Sequence, residues 1–270
     1  MADYMSFSKV KTYSECPLRY KLERVDKVWQ RPSGWLDHGT AVHSGIEAYE
    51  KSGRAMPLEE AQKIASDEYR AGINRLLEET PNADYWSASG PYKGYGYTSA
   101  RGKYFESDLE RRARLVPEMV EKYYTWTSAH PEDVIWVAED GTPGIELGFD
   151  VDLDGVRVRG YIDQVLKADS DDSVRVRDVK TGAQPGDALQ LKVYAVALED
   201  TYGVQAPTGD YWMAKSGKAT KPYDLTTVSR QEVVDVFHSV NEGIKAENWD
   251  PKPGEHCDRC SVRTSCPVWV

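Results

Sequence analysis

The stretch IELGFDVDL-DG-VRVRGYIDQVL, residues 145–166, limits most what this chain can become. Apolar and polar residues alternate on both sides of Asp154-Gly155, and Asp-Gly between two such runs is a strong short-range hairpin signal. A strand, a tight turn and a second strand are therefore predicted. ADSDDS makes the next turn and VRVRDVKTG a third strand, antiparallel to the second. DALQLKVYAVALEDTYG reads as a helix with Asp187 at its N-cap. TGDYWMAK follows as a fourth strand and SRQEVVDVFHSVNEGIKAEN as a last helix.

The N-terminal half has a different texture. The serines of SFSKVKTYSEC can cap a short helix, and Pro17 marks a break or the first turn of another. HGTAVHSGIEAYEKSG is expected to be a helix ending at Gly53. PLEEAQKIASDEYRAGINRLLEET carries Pro57 at its start and apolar residues at helical spacing. A further long helix is expected from about Phe105 to Ser128. The predicted class is α+β in a single domain over 1–270. Residues 1–133 are mainly helical and include Cys16 and His43. Residues 134–215 form the sheet core, and 216–270 hold the last helix and a cysteine cluster. A chain of 270 residues can bury a sizeable core. It has no apolar run long enough for a membrane span, and its first residues show no signal-peptide core, so a cytoplasmic location is expected. The formal net charge of −10 argues against a general nucleic-acid binder, whose footprint is basic. A local basic groove remains compatible with it, and a divalent-cation site needs carboxylates.

The third strand ends in Asp178-Val179-Lys180. Side chains alternate across a strand, so Asp178 and Lys180 share a face with Val174 and Val176. An apolar strand that turns to Asp and Lys at its end looks like a core strand running into a site. Asp163, near the end of the preceding strand, comes close to Asp178 in the hairpin geometry. Two carboxylates suit a hard cation such as Mg²⁺, and a lysine beside them suits charge growing on phosphorus. Asp-x-Lys alone is common. Gln190 and Tyr194 are four apart and share a helix face. Gln190 also stands three residues after Asp187, where it would complete a capping box, and Tyr194 would serve equally as a core aromatic.

Four cysteines are too few for a disulfide scaffold in a chain of this length. Three of them, Cys257, Cys260 and Cys266, form C-x2-C-x5-C-P; the other is Cys16. Thiolates at such spacing bind zinc or an iron–sulfur cluster, and His256 is a possible ligand in a zinc site.

GYIDQVL, RDVKTG and QLKVY, in that order and with short gaps, resemble the RecB-like branch of the PD-(D/E)XK nucleases. The resemblance implies a restriction-endonuclease-like core. Asp163 and Asp178 would be Mg²⁺ or Mn²⁺ ligands and Lys180 the catalytic lysine. Gln190 and Tyr194 would contact the substrate strand. HGTAVHSGIEAYE is similar to the family's N-terminal histidine motif, which implies His43 as a further metal ligand. With Cys16, Cys257, Cys260 and Cys266 in place, the whole chain resembles the iron–sulfur subset, which includes the CRISPR-associated Cas-four exonucleases and the AddB-type nucleases. That subset implies a 4Fe-4S cluster on these four cysteines, acting as a C-terminal staple. It also implies DNA, single-stranded above all, as substrate, with 5′-to-3′ polarity. Homo-oligomers, recombination or CRISPR partner proteins, and a bacterial or phage-infected cell as the setting are implied as well.

Two loops add to the expectation. YWSASGPYKGYGYTSARGKYF sets Tyr85, Trp86, Tyr92, Tyr95, Tyr97 and Tyr104 among Lys93, Arg101 and Lys103, a mixture suited to unpaired bases and phosphates or to simple packing on the helices. KSGKATKPYD is a second basic loop. It lacks Walker spacing, and nothing else in the chain suggests an ATPase.

Overall fold

The computed structural model describes residues 4–82, 85–88, 97–98, 104–168 and 173–269, with backbone alone at 97–98 and 104–105. The helices are α1 (Phe7–Glu15), α2 (Pro17–Tyr20), α3 (Gly34–Lys51), α4 (Leu58–Glu79), α5 (Asp108–Ala129), α6 (Ala188–Tyr202) and α7 (Arg230–Lys245). The strands are β1 (Tyr97–Thr98), β2 (Tyr104–Phe105), β3 (Ile145–Leu153), β4 (Val156–Lys167), β5 (Ser173–Lys180), β6 (Gln205–Met213), β7 (Lys218–Ala219) and β8 (Tyr223–Asp224). The chain forms two compact units. One takes the residues up to Lys21 and Trp126–Lys252; the other takes Leu22–Thr125 and Pro253–Val270.

The first unit holds the main sheet, in the order β3-β4-β5-β6-β7, with β8 also pairing β6. The Asp-Gly signal is fulfilled: Asp154 has φ +53° and Gly155 φ +94°, the positive angles a tight hairpin turn needs. β3 and β4 then pair antiparallel in one register from Leu153↔Val156 to Ile145↔Gln164, with the Glu146–Asp163 pair missing from the ladder. β4 pairs antiparallel with β5 only over its last residues, Gln164↔Arg177 to Lys167↔Val174. The free edge of its first half is covered by the N-terminal segment. There the Met5 N–H donates to the Arg157 carbonyl at 2.7 Å and the Met5 carbonyl accepts from the Arg159 N–H at 2.9 Å.

β6 runs parallel to β5, a direction that periodicity left open; α6 is the crossover that parallel pairing requires. The Asp187 side chain caps α6 by accepting from the Leu189 N–H at 3.0 Å, and Gly203, φ +67°, ends it. Val158, Ile162, Val165, Val174 and Val176 from the sheet, Leu191 and Leu198 from α6, and Phe237 from α7 are all buried in one core. Each such side chain contributes about 1.5–3 kcal/mol by leaving water.

The other face of β5 is buried too, but with charge. Arg177, 1% exposed, donates to both carboxylate oxygens of Asp210 on β6, at 2.6 and 2.9 Å, and to Asp133 at 2.6 Å. Arg175 pairs with the same two aspartates. The Trp126 indole N–H donates to Asp133 at 3.0 Å, and its ring lies 5.9 Å from the Arg177 guanidinium. These charge-assisted bonds hold the Arg177 guanidinium above its ordinary range despite burial and hold Asp133 below its own.

The second unit packs α3 and α4 with α5. Gly45 marks the close approach: a Cβ there would meet Ala65 Cβ at 2.9 Å, the Ala61 carbonyl at 3.0 Å and Val120 Cγ2 at 3.0 Å. The buried Glu50 carboxylate accepts from the Tyr123 hydroxyl at 2.6 Å and from Arg54 Nε at 2.9 Å. α3 begins four residues before the predicted helix, at Gly34, and Gly53 lies just past its end with φ +65°. No described helix is long and apolar enough to cross a membrane.

Candidate active site

The ends of β4 and β5 and the first turns of α6 bring five of the predicted residues together within the first unit. Asp178 is 1% exposed and continues the apolar face of Val174 and Val176, as the alternation requires. Its Oδ2 lies 2.6 Å from Lys180 Nζ as an ion pair but outside hydrogen-bond geometry. Its Oδ1 accepts from the Tyr194 hydroxyl at 3.1 Å. Lys180, half-buried, donates to Gln190 Oε1 at 2.8 Å, and Gln190 Nε2 donates to the Tyr194 oxygen at 2.9 Å. The ring Asp178–Lys180–Gln190–Tyr194 is thus closed by side chains two apart on a strand and four apart on a helix.

The Gln190 side chain belongs to the ring rather than to a capping box. Its amide turns to the lysine and the tyrosine, while its backbone N–H meets the Asp187 carbonyl at 3.0 Å. Tyr194 is a buried aromatic whose hydroxyl joins the ring. Burial, then the nearby Asp163 and Asp178 carboxylates, push its hydroxyl well above the ordinary tyrosine range, so it stays a donor.

Asp163 lies where β4 and β5 part. Its Oδ2 accepts from the Val179 N–H at 2.7 Å, which ties it to the residue between Asp178 and Lys180. Across the other strand boundary stands Glu146, with a carboxylate oxygen within 4.8 Å of one of Asp163. Glu146 has φ +44°, and it is passed over in the ladder although Ile145↔Gln164 and Leu147↔Ile162 on either side are formed. A non-glycine residue held in the left-handed region inside a strand is strained, and such strain gathers at functional sites. Sequence reasoning missed Glu146 because it occupies an ordinary polar position of an alternating strand. The second missed residue is Tyr211 on β6. Its ring lies 5.6 Å from Lys180 Nζ and its hydroxyl donates to the Asp187 carbonyl at 2.5 Å, joining the lysine to the cap of α6.

The donor set fits a hard divalent cation. Oxygen ligands at about 2.0–2.1 Å from Mg²⁺ are about 3–4 Å apart, near the separation already available to Glu146 and Asp163. Asp178 Oδ2, buried and outside hydrogen-bond geometry, is a third oxygen of the right kind.

The other predicted residues are placed by their own units. His43 is half-buried on α3 of the second unit. Five residues earlier, His38 is only 2% exposed and edge-on to Tyr69, a core histidine. Cys16 belongs to the first unit, where its sulfur accepts from the Lys252 N–H at 3.5 Å. Cys257, Cys260 and Cys266 belong to the second, on two short 3-10 turns, with the Cys257 sulfur accepting from the Gly254 N–H at 3.5 Å. Of the aromatic-rich stretch, Tyr92, Lys93, Tyr95, Arg101 and Lys103 lie outside the described residues. Trp86 packs inside the second unit and donates to the Thr80 carbonyl at 2.8 Å, while Tyr85 is exposed. The KSGKATKPYD loop carries β7 and β8, both paired to β6.

The family model described as PD-(D/E)XK nuclease superfamily matches residues 4–267. The Gene 69 protein of Mycobacterium phage D29 is 47% identical over 98% of this chain and 96% of its own length. The Gene 69 protein of Mycobacterium phage L5 is 44% identical with the same coverage. A solved structure described as the crystal structure of SSO0001 is 13% identical and covers 97% of this chain and 96% of its own, with a TM-score of 0.33. On the match over nearly its full length, the chain belongs to the PD-(D/E)XK nuclease superfamily.

Proposed function

We propose that this protein is a metal-dependent DNA exonuclease that degrades single strands from the 5′ end. The observation that carries the reading is the closed ring of Asp178, Lys180, Gln190 and Tyr194 beside the Glu146–Asp163 carboxylate pair. Asp163, Asp178 and Glu146 are the groups that hold Mg²⁺ or Mn²⁺, and His43 adds a nitrogen ligand. When bound, the ion supplies Lewis-acid polarisation of the scissile phosphate. Lys180 is aimed by Asp178 and Gln190. Its ammonium orients the attacking water and stabilises charge developing on the phosphoryl oxygens. Gln190 and Tyr194 fix the lysine and the carboxylate against each other and contact the strand beside the scissile bond. The phage relatives suit a setting inside an infected bacterial cell.

A 4Fe-4S cluster on Cys16, Cys257, Cys260 and Cys266 is the second part of the proposal. One observation supports it. Backbone N–H groups point at Cys16 and Cys257 sulfurs, as they do around thiolates that hold clusters.

The test uses protein purified without oxygen and linear single strands labelled at either end, with circular single strands and linear duplex alongside. Mononucleotide or short product released first from the 5′ label, with circles resistant, supports the reading. Cleaved circles would make the enzyme an endonuclease, and early loss of the 3′ label would reverse the polarity. Iron and acid-labile sulfide in equal amounts support the cluster, and zinc in their place would refute it.

A further inference from the structure

The outer face of the β3–β4 hairpin leads in even steps to the carboxylate pair. The register sets Asp152 opposite Arg157, Asp150 opposite Arg159, and Gly148 opposite Tyr161. Glu146 and Asp163 stand at the next position, where the ladder pair is missing. Odd-numbered residues of β4 point outward over Arg157, Arg159 and Tyr161, while Val158 and Ile162 between them are buried. Each step along the strand is about 6.6 Å, so Arg157 and Asp163 are about 20 Å apart.

Tyr161 is the unusual residue on this face. It is 66% exposed, the second most exposed large apolar or aromatic side chain among the described residues. Its ring lies over Gly148: a Cβ on that glycine would come within 3.3 Å of the ring. The glycine therefore lets the ring lie across the sheet, one rung from Asp163, with its other face open. Behind it the face is basic. Arg157 and Arg159 both bond the single carboxylate of Asp150, at 2.7–2.8 Å. Lys9 stands 4.1 Å and the Arg159 guanidinium 5.3 Å from the Tyr4 ring. Three cations thus face two carboxylates, Asp150 and Asp152, on a chain whose net charge is −10.

We propose that this face is the track for the substrate strand: a base stacks on Tyr161 beside the scissile phosphate, and Arg157 and Arg159 hold the phosphates further along. Exposed aromatics stack on unpaired bases without sequence preference, and arginines track the backbone. The proposal rests on the nuclease reading for its substrate and adds residues that reading does not use.

Fluorescence anisotropy with a labelled oligothymidylate strand in EDTA, and steady-state cleavage of the same strand with Mn²⁺, test it together. Tyr161→Ala is expected to weaken binding about 5- to 160-fold, the range for loss of one stacked base, and to raise KM by a similar factor with kcat little changed. Tyr161→Phe keeps the ring and binds like wild type. Arg157→Gln and Arg159→Gln each flatten the slope of log affinity against log salt by about 0.7. Asp150→Asn releases both guanidiniums and tightens binding, a sign that a purely structural role for Asp150 would not give. If wild type cleaves and Tyr161→Ala, Arg157→Gln, Arg159→Gln and Asp150→Asn all bind and cleave as it does, the track is wrong and the nuclease reading stands. If wild type does not cleave, the nuclease reading falls. The anisotropy series then decides the track alone: weakened binding by Tyr161→Ala supports it and unchanged binding overturns it.

Discussion

Tyr194 on α6 donates its hydroxyl to Asp178 Oδ1 on β5 at 3.1 Å, and both residues are almost fully buried. Tyr194→Phe leaves that oxygen with one donor fewer in a place water does not reach, at a cost of about 1–3 kcal/mol. Cleavage is expected to fall about tenfold or more in kcat. The urea midpoint should drop by an amount matching the lost bond. Unchanged kcat with a lowered midpoint would make Tyr194 a core residue only.

The Arg177 cluster predicts a large stability effect without contact with the reacting groups. Asp210→Ala leaves the Arg177 charge buried against Asp133 alone. Breaking a buried pair from one side costs about 3–5 kcal/mol. Asp210→Asn, which keeps the shape and some of the hydrogen bonding, should cost less. Equilibrium denaturation of the two variants checks the order, and equal, small losses would contradict it.

His38 predicts how stability responds to acid. It is 2% exposed, and neither ring nitrogen has a hydrogen-bond partner among the described residues. Burial first, then Arg112 and Arg111, lowers it to about 4 from 6.5. Between those values the unfolded chain takes up a proton that the folded one refuses. Stability therefore falls as pH drops below about 6.5, by up to about 3 kcal/mol near pH 4. His38→Leu should remove this part of the acid limb. A wild-type and a variant profile of the same slope from pH 7 to 5 would contradict it.

Glu146 predicts a metal effect. Glu146→Gln keeps the volume and removes one charge from the carboxylate pair. The Mn²⁺ concentration needed for half-maximal cleavage should rise about tenfold or more, because hard cations are held by oxygen charge. An unchanged metal requirement would leave Glu146 a strained strand residue with no part in the ion site. Relief of the φ +44° conformation is not at issue, since glutamine has the same backbone preferences.

Much of this site was legible in the sequence, for a physical reason. Asp-Gly fixed the hairpin turn, the turn fixed the register, and alternation then put Asp178 and Lys180 on one face near Asp163. The helical four-residue spacing did the same for Gln190 and Tyr194. What stayed hidden was set by tertiary placement. Arg175 and Arg177 alternate with valines as a solvent face would, but β5 is a central strand covered on both sides, so Arg177 is buried and Arg175 half-buried with the buried Asp133 and Asp210. β7 and β8 are two residues each, too short to show any period. Glu146 looked like every other polar position of its strand until the backbone showed φ +44°.

The central claim is phosphodiester hydrolysis at the ends of β4 and β5, and Lys180 tests it most directly. End-labelled single-stranded DNA would be incubated with Mg²⁺ or Mn²⁺ and with wild type or Lys180→Ala, with EDTA as the control. Cleavage by wild type, abolished by EDTA and by Lys180→Ala while the variant still folds and binds the strand, is the predicted result. Cleavage by both proteins alike would contradict the assignment of the catalytic lysine and with it the site described here.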